Sequence, residues 1–144
     1  MRTCARREVS RAIAAAQKRG PVVVAAVGND GPASPPAYPA SYAKVVAITG
    51  VDRHDRALIE AGRALHLDYA APGADIEGRD RKGRRRDLRG TSYATPLVAA
   101  RIAAALTGGG NWRSRLDGEA RDLGDKGADD TYGRGLICGS CVKR

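Results

Sequence analysis

Apolar positions along the chain follow two patterns, one with helical spacing and one that is continuous over short runs. Near the start, four apolar residues recur at i, i+3, i+4 and i+7: Val9, Ala12, Ile13 and Ala16. This spacing predicts a helix with one buried face, which Gly20-Pro21 should end. Residues 22–27 are an unbroken run of Val and Ala, typical of a parallel strand buried on both faces. Residues 92–106 are apolar almost all round and predict a buried helix. We therefore expect one α/β domain over residues 1–144.

The start of the second helix places a serine in a chemically favourable position. Pro96 is tolerated in a first turn, because the amide that proline lacks has no intrahelical partner there. The helix should therefore begin near Ser92, among unpaired amides and at the positive pole of the helix dipole, which favours negative charge on a substrate oxygen. Gly90 has no side chain and would let a substrate backbone come close. The alternative is that Thr91 and Ser92 are only helix N-caps.

A resemblance favours the catalytic interpretation. Residues 90–96, Gly-Thr-Ser-Tyr-Ala-Thr-Pro, followed by Leu-Val-Ala-Ala, closely resemble the nucleophile box of the subtilisin-like serine peptidases, the subtilases. The resemblance implies a serine endopeptidase that cleaves polypeptides through an acyl-enzyme at Ser92. It also implies a three-layer α/β fold with a mostly parallel sheet.

The strand at residues 22–27 and the turn after it resemble the subtilase segment that presents the oxyanion-hole asparagine, a role that falls to Asn29. The backbone amide of Ser92 would be the second donor. The alternative is an asparagine that simply suits a left-handed turn. Ala26, Gly28 and Ala37 fall near the family's primary specificity pocket, where small residues would leave room for a sizeable side chain.

The resemblance extends over about residues 8–137. Residues 38–52 and 67–76 are similar to core strands of the family, and residues 120–137 are similar to its closing segment. One departure is Arg101, because the family keeps this helix buried and its residues mostly small, so the charge must reach a partner or the helix end. The family also implies secretion or a cell-envelope location, although the chain shows no signal peptide and no transmembrane stretch.

The family's other two triad residues, an Asp and then a His, precede the oxyanion asparagine. The 28 residues before Asn29 contain no counterpart of either motif. His54 lies in a charged segment that indicates a solvated loop, and His66 lies in an alternating pattern that indicates a strand and a structural role. We expect a domain that is incomplete on its amino-terminal side and nearly inert alone, whether Met1 is a true start, an internal start or a break in a damaged gene. The alternative is a non-catalytic pseudopeptidase or remnant that binds peptides or has no activity.

Strands that should flank residues 22–27 would be missing from such a domain, and the exposed sheet edge invites association.

Basic residues are concentrated in residues 79–89, within a chain of net charge +9. Such a run raises the possibility of nucleic-acid binding. However, Phe is absent from the chain, no stacking aromatic lies nearby, and Asp80 and Asp87 interrupt the charge. We expect a solvated hairpin and no specific nucleic-acid site, with weak binding to anionic polymers as the alternative.

Three cysteines and one group of acids are the remaining candidates for a site. Cys138 and Cys141 form a single C-x-x-C, and Cys4 lies far from them in sequence; zinc would need four ligands, so a local disulfide or free thiols are favoured. The carboxylates that could suggest calcium, which is common in subtilases, fit turn capping better: Asp125, Asp129 and Asp130. We expect no cofactor and no metal site.

Overall fold

The computed structural model describes residues 2–138, with the side chains from residue 6 onward. Its elements in chain order are α1 (Arg2–Gln17), β1 (Val24–Ala26), β2 (Val46–Val51), β3 (Tyr69–Pro72), β4 (Ile76–Arg79), β5 (Arg85–Leu88), α2 (Thr91–Thr107) and α3 (Trp112–Glu119). None of the helices in this described part combines the length and apolar composition that crossing a bilayer requires.

The core is a parallel sheet with helices on both faces. Its strands lie in the order β1-β2-β3, with Ala25 opposite Ala47 and Ile48 opposite Tyr69. Ile13 of α1 packs against one face, whereas α2 and α3 pack against the other. The predicted α/β class with a parallel sheet between helical layers is confirmed. The outer side of β3 is bridged to Leu136, but β1 has no strand on its outer side within residues 2–138.

Helix α2 begins where the sequence predicts, but the expectation that it is buried all round is wrong. Its fully buried side chains form a single stripe: Thr91, Ala94, Val98, Ile102 and Ala105. Leu97 and Leu106 remain 43% and 47% exposed. The reason is that the sheet covers one side of the helix and α3 covers one flank, while no other element of the described chain lies over the rest.

Two expectations about charged segments are met. Arg101 reaches a partner at the end of α3, where its Nε and Nη2 atoms donate to Glu119 at 3.0 and 2.7 Å. Strands β4 and β5 form the predicted antiparallel hairpin, and the side chains of its second strand are mostly exposed.

Candidate active site

The first turn of α2 presents Ser92 to solvent. Gly90 is the N-cap residue, with φ of 140°, and no side chain caps the helix. Thr91 and Ser92 are therefore not side-chain N-caps, and the alternative weighed for them is wrong. The Ser92 hydroxyl is exposed and makes no hydrogen bond within residues 2–138. An unengaged hydroxyl at a helix start can approach a substrate carbonyl.

The turn after β1 is joined to this helix start through Thr91. The Thr91 amide donates to Asn29 Oδ1 at 2.9 Å, and the Thr91 hydroxyl donates to the carbonyl of Gly28 at 3.1 Å. Because a backbone N–H can bond only to the oxygen of the Asn29 amide, this contact sets the side chain's orientation and leaves Nδ2 to donate elsewhere. Thr91 is fully buried. This positioning role is not visible in the sequence, because it depends on a partner 62 residues away.

Close backbone contacts bring the carboxyl ends of all three strands to this point. A Cβ on Gly90 would lie 3.2 Å from Asn29 Nδ2, and a Cβ on Gly73 would lie 2.9 Å from the Cα of Gly50. The Gly90 amide donates to the Gly73 carbonyl at 2.7 Å. The nucleophile candidate thus stands where parallel α/β sheets usually place their active sites.

Glu60 ties the same two segments together from the side. Its carbonyl accepts from the amide of Gly31 at 2.9 Å, and its carboxylate accepts from Arg89 Nε and Nη2 at 2.7 and 2.9 Å. The hydrogen bond from Arg89 lowers the pKa of Glu60. Arg89, the last residue of the basic run and the neighbour of Gly90 in sequence, therefore forms an ion pair with the Glu60 carboxylate.

The predicted pocket residues lie beside this turn. Gly28 has φ of +86°, and a Cβ there would lie 3.8 Å from that of Ala37. Ala26 is the half-buried last residue of β1. Ala37, together with Val27 and Asp30, lines a cavity of about 510 Å³, whereas Ala26 and Gly28 do not line it. The structure thus brings Gly28 and Ala37 together and leaves their substrate contacts as a prediction.

Neither histidine contacts Ser92. His54 is exposed in a loop, as expected, and its Nε2 accepts from Arg53 Nε at 3.2 Å. His66 lies in a bend before β3, so its expected place in a strand is wrong, because the strand begins only at Tyr69. His66 Nε2 lies 2.8 Å from the carbonyl of Val45 and 3.7 Å from Asp68 Oδ2, contacts that suit a structural role.

Comparison with known proteins identifies the family. The subtilase family model matches residues 3–135. The chain belongs to the subtilase family. It is 33% identical over 141 residues to Subtilisin BL of Lederbergia lenta, covering 94% of this chain and 51% of that protein. It is 34% identical over 134 residues to the Thermophilic serine proteinase of Bacillus sp. strain AK1, covering 91% of this chain and 33% of that protein. It is 31% identical over 131 residues to the Minor extracellular protease Epr of Bacillus subtilis strain 168, covering 88% of this chain and 20% of that protein.

The subtilase resemblance of the sequence is thereby confirmed, and serine peptidase is the class that the family supports. The chain spans about half the length of Subtilisin BL, and less of the other two relatives.

Of the acids considered as calcium ligands, Asp129 caps a turn. Asp129 Oδ1 accepts from the amides of Thr131 and Tyr132, both at 2.7 Å. Among the described residues, no group of three or more His, Cys, Asp or Glu side chains is arranged to hold a metal ion. Cys138 is disulfide-bonded, while Cys141 and the side chain of Cys4 lie outside the described residues.

Proposed function

We propose that this subtilase domain contributes Ser92 as nucleophile and Asn29 as oxyanion donor to a serine endopeptidase acting on polypeptides. The observation that carries the proposal is the bond from the Thr91 amide to Asn29 Oδ1. It holds the asparagine beside the residue that precedes Ser92 and leaves the Asn29 Nδ2 protons free for a substrate oxygen. By family, the protein is secreted.

The reaction follows from these positions. Ser92 Oγ forms a bond to the substrate carbonyl carbon as its proton passes to a base. The carbonyl oxygen gains negative charge, which the Ser92 amide and Asn29 Nδ2 stabilise. The peptide C–N bond then breaks, and the amine leaves with a proton. Water attacks the acyl-enzyme and releases the acid, regenerating the serine.

We propose that residues 2–138 provide no base to accept the proton of Ser92. The described contacts of His54 and His66 are with Arg53, Val45 and Asp68. In subtilisin itself, loss of the histidine costs roughly 10⁶-fold in turnover. We therefore propose that residues 1–144 alone do not turn over peptides measurably. The competing function is that of a non-catalytic peptide-binding pseudopeptidase or a remnant.

Fluorophosphonate labelling, mapped by mass spectrometry, tests the nucleophile. On the full 144-residue chain we expect slow labelling at Ser92 that is lost in Ser92→Ala and retained in Ser114→Ala, a control in α3. Asn29→Ala should slow labelling by roughly 10²–10³, the magnitude known for a side-chain oxyanion donor in subtilisin. Labelling of Ser92 no faster than of Ser114 would overturn the proposal and favour the pseudopeptidase.

Peptide hydrolysis is the second readout. No Ser92-dependent cleavage of a fluorogenic peptide is expected from the chain alone. Cleavage abolished by Ser92→Ala would show that this chain contains an effective base and would refute the proposed incompleteness.

A further inference from the structure

A second cavity lies between helix α1 and the turn at residues 38–42. It has a volume of about 330 Å³, and basic and aromatic side chains make up most of its lining: Arg6, Arg7, Ser10, Arg11, Tyr38 and Tyr42. We call it the arginine cavity. Neither Ser92 nor Asn29 lines it, so a ligand held there would bind apart from the candidate active site.

Helical spacing brings the basic side chains of this cavity together. Arg7 and Arg11 are four residues apart, as are Arg6 and Ser10, so the four side chains lie in two adjoining rows on one helix face. The one acid of α1, Glu8, does not line the cavity. Within the described part of the chain, none of the three arginines forms an ion pair with a carboxylate.

The basic hairpin is different, because its arginines have acidic partners. Arg84 and Arg86 both donate to Asp80, and Arg85 pairs with Glu77. The charge of the hairpin is therefore partly neutralised, whereas the three guanidinium groups at the arginine cavity keep their full charge. Like charges on one helix face repel, so a bound anion would relieve this repulsion.

The two tyrosines of the cavity hold Arg6 in place. The guanidinium carbon of Arg6 lies 4.5 Å from the centre of the Tyr38 ring, and the Tyr42 hydroxyl donates to the Arg6 carbonyl at 2.7 Å. The two rings pack against each other with centres 4.7 Å apart. A guanidinium that lies over a ring keeps its N–H groups available, because they point along its own plane. Arg6 is thus positioned while its donors remain open to a ligand.

The chemistry of the arginines indicates the ligand. Two parallel N–H groups of a guanidinium match two oxygens of one phosphoryl group. Three such groups around one small cavity suit an anion that carries several charges on adjacent groups, whereas a single carboxylate has two oxygens and would leave most donors unused. We propose that the arginine cavity binds a chain of two or more phosphoryl groups, from inorganic polyphosphate or from a nucleotide.

Isothermal titration calorimetry of the full 144-residue chain tests this site, with inorganic tripolyphosphate as the probe. The buffer contains about 150 mM NaCl, which largely screens exposed charges more than about 8 Å apart. We expect saturable 1:1 binding. The double variant Arg7→Gln/Arg11→Gln should weaken it about 100-fold, because each lost charged hydrogen bond costs about tenfold or more in affinity.

Arg81→Gln/Lys82→Gln is the matched control, because it removes the same two positive charges from exposed positions in the turn of the hairpin. It should bind tripolyphosphate as the parent chain does. Tyr38→Leu removes the ring beside Arg6 without changing the net charge, and it should weaken binding about two- to fivefold. Circular dichroism verifies that each variant folds.

Titration with ATP distinguishes the two sources of the phosphate chain. Binding of ATP no tighter than that of tripolyphosphate assigns the cavity to inorganic polyphosphate, and tighter binding assigns it to a nucleotide; both results support the site. Absence of saturable binding, equal weakening by the two double variants, or an affinity that Tyr38→Leu leaves unchanged would overturn the proposal. None of these readouts depends on peptidase activity.

Discussion

Replacing Gly90 with alanine should damage the candidate active site through its geometry rather than its chemistry. Gly90 has φ of 140°, a region that side chains with a Cβ avoid. The added Cβ would lie 3.2 Å from Nδ2 and 3.3 Å from Oδ1 of Asn29. These contacts are tighter than ordinary van der Waals spacing, so the asparagine must shift away from the Thr91 amide that holds it.

Two costs combine in this substitution. Backbone strain in such a region is worth about 1–3 kcal/mol. Weakening the bond between Asn29 and Thr91 adds about 0.5–1.5 kcal/mol. Alanine also reduces the conformational entropy of the unfolded chain, which stabilises the folded state by about 0.4–1 kcal/mol. We therefore expect Gly90→Ala to lower the free energy of unfolding by roughly 2–3 kcal/mol, which shifts a urea midpoint by about 1–1.5 M at a typical slope of about 2 kcal/mol/M.

Urea unfolding followed by circular dichroism measures this shift, and Gly83→Ala is the matched control. Gly83 also has positive φ, at +73°, but a Cβ there would meet nothing within 4 Å. Gly83→Ala should therefore show backbone strain alone. In an Asn29→Ala background, Gly90→Ala should destabilise the fold less, because the added Cβ no longer meets the Asn29 side chain. Equal shifts for Gly90→Ala and Gly83→Ala, with no coupling to Asn29, would refute the reasoning.

Two predictions concern pH. Burial and the nearby Asp117 carboxylate raise the pKa of Tyr69 above its usual value, so the folded state holds this proton more tightly and stability should fall as pH rises above about 10. Tyr69→Phe should flatten that fall in urea unfolding between about pH 9 and 11; an unchanged slope would contradict it. Burial raises the pKa of Asp52, but hydrogen bonds from Arg56 and from the His54 amide outweigh burial and lower this pKa to about 2. Its stabilisation is therefore present above about pH 4 and lost as pH falls through 2, so Asp52→Asn should be less stable at pH 7 and match the parent near pH 2.

Periodicity and glycine placement predicted much of the fold because those signals are local. The spacing of Val9, Ala12, Ile13 and Ala16 predicted α1, although Val9 and Ala12 are exposed and its predicted buried face is wrong in part. The apolar run before Gly28 predicted a parallel strand, but its expected burial on both faces is wrong, because β1 covers only Val24–Ala26 at the sheet edge and only Ala25 in it is buried. Helix α3 was not predicted, because only Leu116 in it is buried and it has no apolar stripe. Its local signal was Asn111, whose side chain accepts from the amides of Arg113 and Ser114 as an N-cap.

In the candidate site, too, local motifs could be predicted from the sequence and contacts between distant segments could not. Ser92 and Asn29 could be proposed from their motifs, and the catalytic roles of both stay predictions. The positioning of Asn29 by Thr91 depends on a contact between distant segments, which no window of sequence contains. The exposure of Leu97 could not be predicted either, since composition alone does not show which side of an apolar helix the rest of the chain covers.

The bond between Thr91 and Asn29 also makes the site a reporter of global folding. Its two ends lie 62 residues apart, and Thr91 is fully buried. The Thr91 amide is therefore released only when the turn after β1 separates from α2, an opening that should approach complete unfolding in free energy. In a subtilase domain built in this way, Asn29, the proposed oxyanion donor, comes to lie beside Thr91 only after the long loop between them has closed.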